Sequence, residues 1–488
     1  NQAGQLGYGD TQNRGDALNQ MGSNLPSVSI GQSVVAVSAG DQMTCTMDTI
    51  SRVKCFGVNV RGQLGIESTN YIGDDSADMP PSETHLDIME VFEGAGCQSY
   101  LFPPYHTAFS GTTVDDSSND LGGANDLALL SDGCPAVSYA DSENDDVKVA
   151  ILTNGLWTVE TPVRDTASVL STSIAVDGSD RLHLLAADPS YDTSTQDVIY
   201  STKIAGRWVN TQLPQSLNAS NVDLLSTPGG LVATWTTGTK VTSMECPSNC
   251  HLASQWSQAL DVSYAGVTNI ESTYDQTSGA THIAFTSGNN LRYLTEAASG
   301  PQTTLLSTDA SASTTDRSIS IDSDFEGNLY IAFANSTGAV MLVDCNPTVA
   351  TCSSASAWSS EDTGLTGGDI DLVLDRSLQP HIVANDAGSL VVSSRGDGTW
   401  DTQSAFNYES EWSSIAVDDY GRAWVASQIG VSDDLWVFDA WALGGNGLDL
   451  DSDQDGFTGY DELLCGTDPF DPSSIPTDFD LDGSCDEI

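Results

Sequence analysis

Residues 173–187 read SIAVDGSDRLHLLAA: an alternating strand, a Gly/Asp turn, then a second strand of small and β-branched residues. The same unit recurs at 127–140 (LALLSDGCPAVSYA), 222–235 (VDLLSTPGGLVATW), 270–285 (IESTYDQTSGATHIAF), 319–333 (ISIDSDFEGNLYIAF), 370–385 (IDLVLDRSLQPHIVAN) and 415–427 (IAVDDYGRAWVAS). A third strand often follows, as in VKVAIL (147–152) and DVIYSTK (197–203), and then a fourth segment carrying Trp157, Trp208, Trp256, Trp358 or Trp400. The turn positions Asp132, Asp177, Thr227, Asp275, Asp322, Asp375 and Asp418 lie 45, 50, 48, 47, 53 and 43 residues apart. Seven units of about four strands at so steady a period predict an all-β chain built round a seven-bladed β-propeller. Radial closure would hide the sheet edges that an open array exposes. A series of β-sandwiches would lack the single-unit period.

Beyond these units, composition narrows the function classes. The chain has 488 residues, with 15 Lys plus Arg against 68 Asp plus Glu and a formal charge of −53. Such a surface repels phosphate, which excludes a generic nucleic-acid binder. No run reaches the ~18 apolar residues that cross a bilayer, so no membrane span is expected. Abundant carboxylates suit a saline or calcium-rich medium, where counter-ions screen self-repulsion. Ten cysteines, most in close pairs, predict an oxidising compartment and the bridges Cys45/Cys55, Cys246/Cys250, Cys345/Cys352, Cys465/Cys485 and Cys97/Cys134. The chain opens inside a repeat with no signal peptide, as a fragment of a secreted protein would.

Within the propeller frame, His183, His282 and His381 share one repeat position, filled elsewhere by Tyr330 or Trp424. Metal ligation round the central channel is one reading; a half-buried position that tolerates rings is the other, favoured by the Tyr and Trp. The regularly spaced Trp fit packing between blades better than a sugar ladder. Asp419-Tyr420-Gly421-Arg422-Ala423-Trp424 partly matches the aspartate box of sialidase-like propellers, S-x-D-x-G-x-x-W, with Val417 in the place of its Ser. Enzymes of that kind need an Arg cluster and a Tyr/Glu pair, and no spacing among the eleven Arg nominates three.

The two ends carry different signals. Asn1-Gln2-Ala3-Gly4-Gln5-Leu6-Gly7 returns as Asn59-Val60-Arg61-Gly62-Gln63-Leu64-Gly65, and VVAVSAGDQMTCTM and VKCFG lie between the copies. Together they resemble the regulator of chromosome condensation repeat, which implies part of a second propeller over residues 1–95. At the other end, Asp451, Asp453, Asp455, Gly456 and Glu462 fit D-x-D-x-D-G-x5-E, with Phe457 offering its carbonyl. Alternate acidic residues wrap hard oxygens round calcium, and the glutamate closes the site. A second acidic run follows at Asp478, Asp480 and Asp482. The stretch 451–486 resembles thrombospondin type 3 repeats of the bacterial and archaeal kind, which implies a calcium-loaded spacer.

The expected organisation is therefore a truncated repeat region (1–95), a linker (96–120), a seven-bladed propeller (121–445) and a calcium-binding segment (446–488). The expected function is a secreted or cell-surface, calcium-binding, non-catalytic binding or adhesion protein. Its partner would be an extracellular protein or a glycan, met by loops such as Asp188–Gln196 and Asp141–Asp146. The alternative is a polysaccharide hydrolase or lyase working in the propeller's central cleft.

Overall fold

The computed structural model describes residues 1–17, 20, 24–25, 27–28, 34–40, 42–48, 53–60, 64, 70–75 and 109–441. Short gaps interrupt the last stretch at 116–119, 154, 167, 189–196, 298–299, 312–316, 348–350, 377, 397, 408–409, 419–421 and 431–433. The chain divides into two compact units, Asn1–Phe102 and Pro103–Ile488.

In the first unit, β1 (Val34–Ala39), β2 (Met43–Asp48) and β3 (Val53–Gly57) form one antiparallel sheet. Cys45 and Cys55 stand directly opposite on β2 and β3 and are bridged, with Cα atoms 4.0 Å apart. The repeated Asn explains itself: Asn1 Oδ1 accepts the N–H of Leu6 and Asn59 Oδ1 that of Leu64, each at 2.8 Å. Each side chain thus bonds the Leu five residues on. Gly4 sits at φ +77°, and a Cβ there would lie 2.0 Å from the Gly73 carbonyl carbon. Only glycine allows that approach.

Among the described residues the second unit contains seven four-stranded antiparallel sheets. Six are continuous in sequence, at 121–163, 171–212, 221–263, 267–307, 319–366 and 368–406; these are blades 1 to 6, with strands a to d in chain order. Blade 7 takes strands a to c from 410–441 and its fourth from β4 (Ser110–Asp115), which pairs with Asp434–Trp441. Each strand a lies beside strand a of the next blade, and that of blade 7 returns to blade 1, so the ring is closed. It is a β-propeller. The segment 96–120 was expected as linker; Ser110–Asp115 instead supplies the closing strand, because an unpaired edge at blade 7 would leave a row of bare N–H and C=O groups.

The start of the ring is pinned electrostatically. Asp115, at the end of β4, accepts from the Tyr139 hydroxyl at 2.6 Å and pairs with Lys148 at 3.0 Å; Lys148 also pairs with Asp141 at 2.7 Å. All four are buried. Burial alone would lower the Lys148 pKa, but its bonds to Asp141 and Asp115 outweigh it and raise the pKa above the ordinary value.

Neighbouring blades are stapled where they meet at the hub. A polar side chain on strand a takes a backbone N–H from the next blade: Asp126 from Ile174 (2.9 Å), Ser173 from Leu224 (3.1 Å), Asp223 from Ser272 (2.8 Å), Ser320 from Leu372 (3.1 Å) and Asp371 from Ile415 (2.9 Å). Ala124 and Asp369, each two residues before such a position, and Trp412, two before Ser414, adopt φ of 50–54°. These left-handed residues sit at bulges that re-aim the following side chain toward the axis. The β-turn aspartate of blade 5 is Asp324, whose Oδ1 takes the N–H groups of Glu326 and Asn328. Asp322, the expected turn residue, instead faces the hub and accepts from Leu374 N at 2.9 Å.

Candidate functional site

Among the described residues, an arginine stands at the axis of the ring. Arg317, just before strand a of blade 5, reaches Glu271 at 2.9 Å, Asp126 at 3.4 Å and Asp371 at 3.8 Å, so one guanidinium meets carboxylates from blades 1, 4 and 6. These four side chains are 13–15% exposed. Burial pushes the Glu271 and Asp371 carboxyls above their usual range against the pull of Arg317, and pushes Asp223 and Asp322 up to about 6. The free space beside Glu271 and Arg317 is about 10 Å³, roughly one water. Among the described residues Arg317 is the sole arginine at the hub, and its charge is spent on carboxylates.

The accommodating space lies between blades, at the end where strands a and b, and strands c and d, are joined. A cleft of about 450 Å³ separates blades 2 and 3, lined by Asp177, Arg181, His183 and Tyr200 on one side and by the Cys246–Cys250 loop and His251 on the other. A second, of about 490 Å³, separates blades 3 and 4, with Glu245, Ser257, Tyr274, Thr281 and Thr295 over a floor that includes Leu231 and Ile283. Thr227, Leu231 and Pro247 line both, so only the a–b turn of blade 3 and the start of its c–d loop divide them. That turn fits because of Gly230. At φ +123°, a Cβ there would meet the Cys246 carbonyl oxygen at 2.3 Å.

The repeated histidines belong to this end of the blades. His183 Nδ1 lies 2.7 Å from the Tyr200 hydroxyl and Nε2 3.2 Å from Asp177. His381 makes the same pair of contacts with Ser394 (2.7 Å) and Asp375 (3.0 Å), while His282 Nδ1 meets the Tyr293 hydroxyl at 2.6 Å. Burial lowers the His183 and His282 pKa values more than Asp177 and Asp275 raise them. Asp177 itself stays below its usual value: burial raises it, but the N–H groups of Ser179 and Arg181 and the His183 ring outweigh that. The histidines thus stand in separate blades; His183 and His381 bond to the aspartate of their own turn, whereas His282 Nε2 lies 3.8 Å from Asp275 with no hydrogen bond. Among the described residues no group of three or more His, Cys, Asp or Glu is placed to hold a metal ion.

A larger repeat becomes visible here. Tyr200 packs on Trp256 of the next blade with centroids 5.3 Å apart, and Tyr293 on Trp358 at 5.1 Å. Trp256 Nε1 donates to the Cys250 carbonyl (2.9 Å), as Trp358 does to Cys352 (2.8 Å). Thr211 donates to the His251 carbonyl (2.7 Å), as Thr304 does to Ser353 (2.8 Å). Both loops are bridged, Cys246 to Cys250 and Cys345 to Cys352. Blades 2–3 and 4–5 therefore carry one module twice. The tryptophans pack between blades: Trp208 Nε1, for example, donates to Glu160 of blade 1 at 2.7 Å.

Of the other expected site residues, Cys134 is disulfide-bonded. Cys97, Cys465 and Cys485, the calcium ligands Asp451, Asp453, Asp455, Phe457, Glu462, Asp478, Asp480 and Asp482, and the loop 189–196 lie outside the described residues. Asp141–Asp146 joins strands b and c of blade 1, hence at the opposite end of the blades from the clefts. The clefts escaped sequence reasoning, because each is made by two blades; the shared His position and the paired Cys were its visible traces.

No family model matches the chain, and no curated protein does. Among solved structures, it is similar to the Aleuria aurantia lectin in complex with Fucα1-6GlcNAc, at 10% identity over 61% of this chain and 98% of that one, with a TM-score of 0.41. It is also similar to the NanB sialidase of Streptococcus pneumoniae (12% identity, 67% and 70% covered, TM-score 0.38). The polysaccharide lyase Uly1 gives 11% identity, 70% and 94% covered, and a TM-score of 0.42. At these scores the likenesses carry no argument, and the fold rests on the strand pairing and the closed order of the blades.

Proposed function

We propose that this chain is a secreted or cell-surface binding protein whose propeller holds a glycan in the clefts flanking blade 3, without breaking bonds in it. One contrast carries the reading: clefts of about 450 and 490 Å³ between blades, against about 10 Å³ at the hub. The hub carboxyls with raised pKa have the chemistry of a general acid, but the space of about 10 Å³ beside Glu271 does not admit a sugar ring. The cleft between blades 3 and 4 pairs an aliphatic floor with Thr, Ser and Tyr hydroxyls and the Glu245 carboxylate. This lets a pyranose lay an apolar face down and hydrogen-bond its hydroxyls. A glycan array run beside a panel of chromogenic glycosides tests the reading. Retention without turnover is the expected result; turnover transfers the case to a hydrolase or lyase.

Calcium belongs to the same proposal, on the sequence motif at 451–462. Equilibrium dialysis should show calcium retained by the chain and reduced in Asp453→Ala. Equal retention by both removes the site.

A further inference from the structure

The two copies of the blade-pair module provide an internal comparison. What they share is scaffold: Asp, His, Tyr, Trp, a bridged loop and a threonine bond. They differ at the cleft. Two residues before the histidine, blade 2 has Arg181 where blade 4 has Ala280; after the second cysteine, blade 3 has His251 where blade 5 has Ser353. Both blade 2–3 residues line the 450 Å³ cleft. In a chain with 15 Lys plus Arg among 488 residues, that placement is specific. The Arg181 side chain is 53% exposed, its nearest carboxylate oxygen is that of Asp177 at 4.0 Å, and among the described residues its guanidinium has no hydrogen-bond acceptor. Arg14, Arg317, Arg395 and Arg422 are each held by a carboxylate within 3 Å; Arg164, at 3.7 Å from Asp146, is as loosely held as Arg181, but among the described residues Arg181 is the arginine that lines a cleft. A planar fork engaged only by this long ion pair with Asp177, at the mouth of a cleft, can turn to a ligand carboxylate and grip it bidentately. Across the shared wall, the second cleft offers Glu245 and hydroxyls, which suit an uncharged ring and repel an acidic one.

We propose that the two clefts form one continuous site for an acidic oligosaccharide, seating a uronate carboxylate at Arg181 and His251 and the adjoining neutral sugar at Tyr274 and Glu245. This rests on the glycan-binding reading above and specifies its ligand class. The overall charge of −53 does not forbid it, because at physiological salt charges more than about 8 Å away are largely screened.

Titration calorimetry on the full chain tests it with two sets of tetrasaccharides. The acidic set is hyaluronan, unsulfated chondroitin and heparosan, each of which alternates a uronate with a neutral sugar; the neutral set is chitotetraose, cellotetraose and mannotetraose. One acidic member should bind roughly tenfold more tightly than every neutral one and than its free uronic acid. Arg181→Ala should remove about that factor, and Arg181→Lys, which keeps the charge and loses the fork, should recover only part of it. Glu245→Gln should weaken the tetrasaccharide and leave the free uronic acid unchanged. Binding confined to neutral members, or acidic binding indifferent to Arg181→Ala, overturns the inference while leaving a glycan-binding protein. No binding by either set, joined to an empty glycan array, overturns both.

Discussion

Arg317 is the residue on which the hub turns. Its guanidinium is almost enclosed and compensates Glu271, Asp126 and Asp371 together. Replacing it with Met leaves those carboxyls buried with no counter-charge, an error of about 3–5 kcal/mol at neutral pH. The hub also sets a pH dependence whose sign is fixed by the direction of the shifts. Asp223 and Asp322 are pushed up to about 6, and Glu271 and Asp371 are raised as well. Between about pH 4, where unfolded carboxyls ionise, and pH 6, the folded chain holds protons that the unfolded chain has released. The hub's contribution to stability therefore falls as pH rises through that window. Asp177 and Asp275 are shifted the other way and lose their contribution only below the window, as pH falls through their depressed values. His183 and His282, whose pKa values burial lowers, act in the opposite sense, since below about pH 6.5 the unfolded rings take up protons that the folded ones do not. The hub is therefore read from Arg317→Met, whose loss by chemical denaturation should be larger at pH 8 than at pH 5. A loss equal at both pH values would mean that the hub carboxyls do not titrate with folding.

At the scale of the element, β4 decides whether the ring holds. Gly111 pairs with Phe438, and a Cβ on Gly111 would fall 2.3 Å from that ring. Gly111→Val should therefore destabilise by about 1–3 kcal/mol through overpacking, and hydrogen exchange should quicken first along 434–441, the strand that β4 covers. Exchange rising evenly over all seven sheets would put the closure elsewhere. This is also where sequence reasoning reached its limit. The a and b strands were legible, since alternation and Gly/Asp turns are local signals repeated in every blade. SGTTVD has six residues and no alternation of its own, and its partner strand lies more than 300 positions further on, so no local pattern marks it. For the same reason Arg317 was invisible as a hub residue: its bond to Asp126 spans 191 positions. The histidines were legible as a repeat position, whereas their Tyr and Ser partners needed the b–c register. Asp322 was misplaced because blade 5 spells Asp-Ser-Asp, and only the turn geometry shows that Asp324 closes the hairpin.

Over the whole molecule the dominant fact is charge: 68 acidic residues against 15 basic ones. Folding gathers these charges, so self-repulsion opposes the compact state and counter-ions relieve it. The screening length shrinks from about 30 Å at 0.01 M salt to about 10 Å at 0.1 M, a range that spans the distance between neighbouring blades and beyond. The thermal midpoint should accordingly climb by several degrees between 0.01 and 0.5 M NaCl, most steeply at the low end. The sign distinguishes this origin from the ion pairs inside the fold. Loss of the Arg395–Glu361 or Lys203–Glu160 contacts, both partly exposed, would make salt destabilising, by well under 1 kcal/mol each. Calorimetry across that salt series at pH 7.5 decides between them. A midpoint that is flat or falls with salt would mean that pairwise contacts, and not the field of the acidic surface, govern the stability of the ring.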